Sequence, residues 1–433
     1  MTESQESSEQ VATEQVAIEQ VAPETRAPKR RVFRGGGPLS VAPMLSLVGL
    51  LIIGLLTFQV YRNWAPSLSS AASATPTATP VPLVSGQTAT PAPPSPTDTI
   101  ATNPQISVPG TLVYVKDGRL WVQSGTASHA ITEPVDGSRV SQPAFSADGQ
   151  WIYYIDTRVT SGRWYNPNDY GAVTRYTYYY PVLCRVHPDG SGQKDVLSSL
   201  IHQGKLLTFY WITQPSISST GNTVAVVSDG PSVPGVQDPG IHYVSTTNGH
   251  IGAALPLRET SPLGLSDPAF SPDGTQLAYT MEGRSGKYGA PSIWIFKNGS
   301  AHKLANGYRA AAWSPDARYI AATKVSGDTL NVVVLDATSG RQVATVTSDD
   351  ASWGPVWSPA GDELVYMHIT GTVVDLNMVY ISGSGADMTF KIEPHLTDYS
   401  GLDGASPAAW FVPGYGPTPT PSATPTATPT ATP

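Results

Sequence analysis

Two hydrophobic patterns divide this chain. The first is a single uncharged stretch from Gly35 to Tyr61, most apolar between Met44 and Phe58. Val41 to Val60 supplies 20 residues, about the length a helix needs to cross the hydrocarbon core of a bilayer. The second pattern runs from 110 to 412, where short apolar runs recur between turn-forming clusters. The segments QPAFSADGQWIYYID (142–156), QPSISSTGNTVAVVS (214–228), DPAFSPDGTQLAYTM (267–281), AAAWSPDARYIAATK (310–324) and GPVWSPAGDELVYMH (354–368) share one order of parts. A small residue or proline precedes an aromatic or aliphatic anchor, namely Phe145, Ile217, Phe270, Trp313 or Trp357. A tight turn follows, then an apolar strand such as Ile152-Tyr153-Tyr154-Ile155 or Leu277-Ala278-Tyr279. In the turn, Ser or Asp bonds backbone groups, Pro presets φ and Gly supplies φ > 0, so the next strand returns antiparallel.

A second unit follows each of these hairpins: an apolar strand, a Gly-rich turn and another strand. It is seen at 183–197, 241–255, 292–305, 331–346 and 378–392. Two hairpins make a four-stranded sheet, the blade of a β-propeller. The ends support this. Residues 112–132 have the second, third and fourth strands of a blade without the first, and SPAAWFVPG (406–414) is a first strand anchored by Trp410 with nothing after it except the Pro/Thr tail. Joined, they complete one blade and close the ring. The anchors at 145, 217, 270, 313, 357 and 410 predict an all-β, six-bladed propeller. The 72-residue gap between the first two anchors leaves a seven-bladed ring as the alternative.

The repeats resemble the TolB-type, WD-like propeller family, whose motif is an aromatic followed by Ser-Pro-Asp-Gly and an apolar strand. Phe270-Ser271-Pro272-Asp273-Gly274 matches in full, Trp313-Ser314-Pro315-Asp316 lacks the glycine, and Phe145-Ser146-Ala147-Asp148-Gly149 lacks the proline. The resemblance covers 110–412. It implies the propeller fold, and it implies a range of functions that includes periplasmic partner binding and, in some peptidases, a propeller attached to a hydrolase.

Composition and charge then locate the flanks. Gly and Pro number 40 each and charged residues make up 13%, against about 25% charge in an ordinary soluble domain. Much of the proline lies in a linker at 62–109 and a tail at 413–433, both rich in Ser, Thr and Pro. Such segments favour extended polyproline II and read as a stalk, glycosylated or plain, or as a passive spacer. Residues 1–34 read as a disordered cytoplasmic tail, ending in a basic cluster of Arg26, Lys29, Arg30, Arg31 and Arg34. Basic residues on the N-terminal side of an apolar span keep that side in the cytoplasm. The expected organisation is therefore a signal anchor at 35–61, crossing the membrane through 41–60, with the propeller outside the cell membrane. A cleaved signal peptide is the competing reading, with Ala72-Ser73-Ala74 as a cleavage site far beyond the apolar core. A net charge of −8 gives no electrostatic footprint for nucleic acid.

Candidate chemistry is sparse. A single cysteine, Cys184, excludes an intramolecular disulfide and a Cys-based zinc site, and reads as a small buried hydrophobe. There is no Gly-x-Ser-x-Gly elbow for a hydrolase, and the eight histidines show no local metal-ligand spacing. No catalytic, cofactor or metal residues are expected. Asp148, Asp273 and Asp316 recur at one repeat position and read as turn-capping residues. The informative irregularity is the insertion TRVTSGRWYNPNDYGAVTRYTYYYP (157–181). Arg163, Trp164, Tyr165, Tyr170, Arg175, Tyr176, Tyr178 and Tyr179 within it are the candidate rim for a protein or glycan at the cell surface, because Tyr, Trp and Arg combine large area with polar tips. The same residues also suit packing on the blade edge or extension of the strand. Two functions compete: a non-enzymatic binding or sensing module on the membrane, and an enzyme using the propeller channel on polysaccharide, such as a lyase or glycosidase.

Overall fold

The computed structural model describes residues 106–414, apart from 134, 136, 166–172, 232–238, 260, 262, 284–288 and 398–400. The expected cytoplasmic tail, the apolar span, the linker up to residue 105 and the Pro/Thr tail from 415 lie outside the described residues. Among those described, no helix is long and apolar enough to cross a membrane.

Six sheets follow one another along the chain, and each has a four-stranded antiparallel core. Blade 1 combines Val108–Lys116, Arg119–Gly125 and Ala127–Ala130 with the last strand of the chain, Ala409–Phe411. Blade 2 holds Arg139–Phe145, Ile152–Tyr165, Val173–Val186 and Lys194–Ser198; blade 3 runs from Ile212 to Ala254 and blade 4 from Leu265 to Asn306. Blade 5 runs from Tyr308 to Thr345 and blade 6 from Ser352 to Glu393. The fold is a six-bladed β-propeller, and its ring closes by pairing Thr111 with Phe411, Leu112 with Trp410 and Val113 with Ala409. The first strand begins at Val108, and Ile106 is already buried. Among the described residues, the long gap between the first two anchors holds no seventh sheet. Its extra residues lengthen the middle strands of blade 2 and add a hairpin, Leu200–Gln203 and Leu206–Phe209.

The core lies between blades. Val113, Val115, Leu120 and Val122 of blade 1 pack on Ile152, Tyr154, Val182 and Cys184 of blade 2. The same pattern joins Ala278, Ile293 and Ile295 of blade 4 to Trp313, Ile320 and Val333 of blade 5. Each fully buried aliphatic side chain contributes about 1.5–3 kcal/mol, so every blade depends on its neighbours.

The inner strands share a device absent from ordinary strands. Three residues before the anchor, Gln142, Gln214, Asp267, Ala310 and Gly354 all adopt left-handed φ, between 52° and 61°. The strand register shifts at each of these points, which marks a β-bulge. The bulged amides donate to side chains of the blade before. Gln142 N reaches Ser406 Oγ at 3.2 Å, Gln214 N reaches Gln142 Oε1 at 2.7 Å, and Asp267 N reaches Gln214 Oε1 at 3.0 Å. Ala310 N reaches Asp267 Oδ2 at 3.2 Å, and Gly354 N reaches Thr323 Oγ1 at 3.0 Å. A belt of hydrogen bonds thus links the inner strands from blade to blade.

The repeat turns are held by their carboxylates. Ser146, Ser271 and Ser314 each donate at 2.6 Å to Asp148, Asp273 and Asp316. The same carboxylates accept the amides of Gln150, Thr275 and Arg318 at 3.0 to 3.1 Å. Burial opposes the charge on Asp273 and Asp316, but these bonds outweigh it and hold both carboxyls below the usual carboxylate range. Where the motif lacks glycine, Ala317 takes the left-handed conformation itself, at φ 57°.

Candidate functional site

The insertion folds as a continuation of the blade. Ile152–Tyr165 and Val173–Val186 pair without a break from Ile152 opposite Val186 to Tyr165 opposite Val173. The inner half of this ladder is blade core, with Ile152, Tyr154, Val182 and Cys184 buried. Pro181 marks the boundary, since the outer strand ends its pairing one residue away, at Val182 opposite Ser198. Beyond it the ladder projects as an arm. Its β-branched and aromatic residues favour pairing over an open loop, which is why the segment is a hairpin rather than the long loop that its length suggests.

At the base of the arm an arginine is held by two carboxylates. Arg158 bonds Asp156 Oδ2 at 2.7 Å and holds Asp195 with two nitrogens, at 2.7 and 2.6 Å. That grip keeps the Asp195 carboxyl below its usual range and raises the Arg158 guanidinium. Cys184 lies beside them, with Sγ 3.5 Å from both Arg158 Nη2 and Asp195 Oδ1. Burial first, and the Asp195 charge second, push its thiol up. Cys184 is thus a buried thiol and a poor nucleophile at neutral pH.

Further out, the hairpin 200–209 packs against the arm. Gly162 permits this contact, because a Cβ there would run into Leu207. Phe209 meets Tyr178 edge-on, with ring centroids 6.2 Å apart, and Trp211 meets Phe209 edge-on at 5.3 Å. Tyr176 stands 6.4 Å from Tyr178 on the other side. Tyr176, Thr177, Tyr178, Tyr179, Thr208, Phe209 and Trp211 line one groove of about 360 Å³. Tyr179 is 58% exposed and Trp211 50%, while Tyr178 and Thr208 are buried. The Tyr178 and Thr208 hydroxyls have no hydrogen-bond partner among the described residues. Burial, reinforced by Tyr176, raises the Tyr178 phenol.

Of the expected rim residues, the structure gathers Tyr176, Tyr178 and Tyr179 into this groove. Arg163 and Arg175 instead line a second depression, with Ser161, His202 and Lys205. Trp164 and Tyr165 lie at the outer end of the arm strand, and Tyr170 falls outside the described residues. Sequence reasoning missed Thr208, Phe209 and Trp211. Their signal was present in Leu200–Trp211, where Gly204-Lys205 forms a two-residue turn between apolar runs, the spacing of a tight hairpin.

The channel side offers less. Asp267 and Glu282 approach each other, but Arg309 occupies the space between them, 2.9 Å from Glu282 and 3.8 Å from Asp267. Ser352, His368 and Asp349 form a cluster, yet Ser352 Oγ and Asp349 Oδ2 both face the same nitrogen, His368 Nδ1, at 3.1 and 3.4 Å. Ser352 also donates to Asp349 at 2.7 Å and is fully buried. A nucleophilic triad needs the imidazole bridging serine and carboxylate through its two nitrogens, so this group is structural. Among the described residues no cluster of His, Cys, Asp or Glu has the arrangement to hold a metal ion.

Fold and arm together define a six-bladed propeller with one elongated blade. No family model matches the sequence, and no curated protein matches it. Solved structures do resemble the fold. TolB from Acinetobacter baumannii aligns at 15% identity and a TM-score of 0.46, over 69% of this chain and 66% of that one. A putative TolB from Agrobacterium tumefaciens aligns at 14% identity and a TM-score of 0.43, over 70% of this chain and 95% of that one. A chain of a nidogen/laminin complex aligns at 12% identity and a TM-score of 0.45, over 69% of this chain and 97% of that one.

Proposed function

We propose that this protein is a membrane-anchored binding module, with its propeller held outside the cytoplasmic membrane and a cell-surface glycan or protein seated on the blade 2 arm. Anchoring is supported by the apolar stretch 41–60 behind a basic cluster. The observation that carries the binding reading is the groove itself. It combines half-exposed Trp211 and exposed Tyr179 with two buried hydroxyls, Tyr178 and Thr208, that lack partners among the described residues. Buried hydroxyls gain most when a ligand supplies the missing bond, and aromatic faces take the apolar face of a sugar ring or a side chain. A sugar ring supplies both needs at once, its hydroxyls the hydrogen bonds and its C–H face the apolar contact, so the glycan is the favoured ligand.

The test replaces 162–177 by a short Gly/Ser turn in the full chain and compares retention on cell-envelope polysaccharide and capture of surface proteins. Loss of retention, with the propeller's circular dichroism unchanged, is the expected result. Unchanged retention and capture by a folded variant refute the reading. Release of shorter sugar products by the wild-type chain favours the channel enzyme instead.

A further inference from the structure

The second depression on the arm has a different chemistry from the groove. Arg163 and Arg175 stand directly opposite each other across the hairpin. The added hairpin brings His202 and Lys205 to the same depression, which has a volume of about 430 Å³. Arg175 is braced by a 3.1 Å bond to Ser161 Oγ. Like charges directly opposite in a ladder destabilise the pairing. Among the described residues, no Asp or Glu forms an ion pair with Arg163, Arg175, His202 or Lys205.

The contrast with Arg158 is informative. On the same arm, Arg158 has two carboxylates within 2.7 Å. The chain as a whole is acidic, at −8. Guanidinium pairs bind oxyanions through paired N–H donors, and these exposed groups meet no carboxylate among the described residues that competes for them.

We infer that Arg163, Arg175, Lys205 and His202 form an oxyanion site that takes a carboxylate, sulfate or phosphate group on the ligand. The site goes beyond the groove reading and stands on its own charges. It abuts the groove along the chain, at residues 175–176 and 207–208. Where both are occupied, the ligand is an acidic one, with its uncharged part on the aromatic rings and its anion between the arginines.

Calorimetric titration of the full chain with three probes tests this: inorganic sulfate, inorganic phosphate and glucuronate, each at constant ionic strength in chloride. The expected result is saturable binding of at least one probe, and the strongest probe distinguishes a carboxylate site from a tetrahedral one. Arg163→Gln with Arg175→Gln weakens that binding tenfold or more, and Lys205→Gln weakens it severalfold. Lys194→Gln, outside the depression in the same blade, leaves it unchanged. Trp211→Ala also leaves anion binding intact, so failure of the groove reading and failure of this one give different results. The inference is overturned if no probe binds the wild-type chain. It is equally overturned if a folded double variant, or Lys205→Gln, binds as tightly as the wild type.

Discussion

Replacing Trp410 by alanine tests how the ring is held shut. Trp410 is 7% exposed, stands opposite Leu112, and packs with Leu112, Tyr114, Met378 and Leu396. Its indole N–H donates to the Pro109 carbonyl at 2.8 Å. Truncating a buried Trp to Ala costs about 3–5 kcal/mol, and the lost hydrogen bond adds about 1 kcal/mol. The total of about 4–6 kcal/mol is a large part of the roughly 5–15 kcal/mol that holds a typical domain together. The closing strand is only three residues long, Ala409–Phe411, and besides Trp410 it is held by its short ladder, by Phe411 against Phe145 and by buried Ala408 and Val412. Urea unfolding followed by circular dichroism gives the loss, and limited proteolysis reports early release of the C-terminal strand. Trp211→Ala, half-exposed on the arm, is the matched control and shifts stability by about 1 kcal/mol or less. A Trp410→Ala variant that loses no more than Trp211→Ala, and resists protease as the wild type does, refutes the closure described above.

Three further predictions follow from individual residues. Ala317→Gly relieves a left-handed alanine at φ 57° and raises stability by about 0.5–1 kcal/mol, read from the urea midpoint. Glu363 is half-buried, and burial first, then the neighbouring Asp362, pushes its carboxyl up to about 7. The folded state therefore binds a proton that the unfolded chain releases, so stability falls as pH rises from about 4.5 to about 7. Glu363→Gln removes that fall, which amounts to about 1–2 kcal/mol after allowing for solvent screening; a parallel pH profile in the variant contradicts the assignment. Gly162→Ala places a methyl against Leu207 and displaces the 200–209 hairpin, costing about 1–3 kcal/mol and weakening ligand retention without altering the propeller's circular dichroism.

The blade count and the closure were legible because both are written in repeated local chemistry. An anchor, a Ser-Pro-Asp-Gly turn and an apolar strand specify a hairpin wherever they occur, and the split blade at 112–132 and 406–414 has no other way to complete itself. The bulges at Gln142, Gln214, Asp267 and Ala310 were not legible, because nothing in those side chains demands left-handed φ. Neighbouring blades impose it by accepting the bulged amides. The site was half legible. Tyr176, Tyr178 and Tyr179 stood out as an aromatic run, but the 200–209 hairpin sets Phe209 beside the tyrosines and His202 and Lys205 beside Arg163 and Arg175. One apparent rim is thereby an aromatic groove and a basic depression. Phe209 and Trp211 join the groove only through tertiary packing of a hairpin about 30 residues further along the chain.

Binding of an intact surface ligand by the blade 2 groove is the proposal on which the rest depends. Its most direct measurement is the affinity of the full chain for cell-envelope polysaccharide, wild type against Trp211→Ala, with the polysaccharide length read after incubation. The wild type is expected to retain intact polysaccharide, and Trp211→Ala, still folded, to lose about tenfold in affinity, or about 1.4 kcal/mol. Equal retention by the two proteins, or shortening of the polysaccharide, contradicts it.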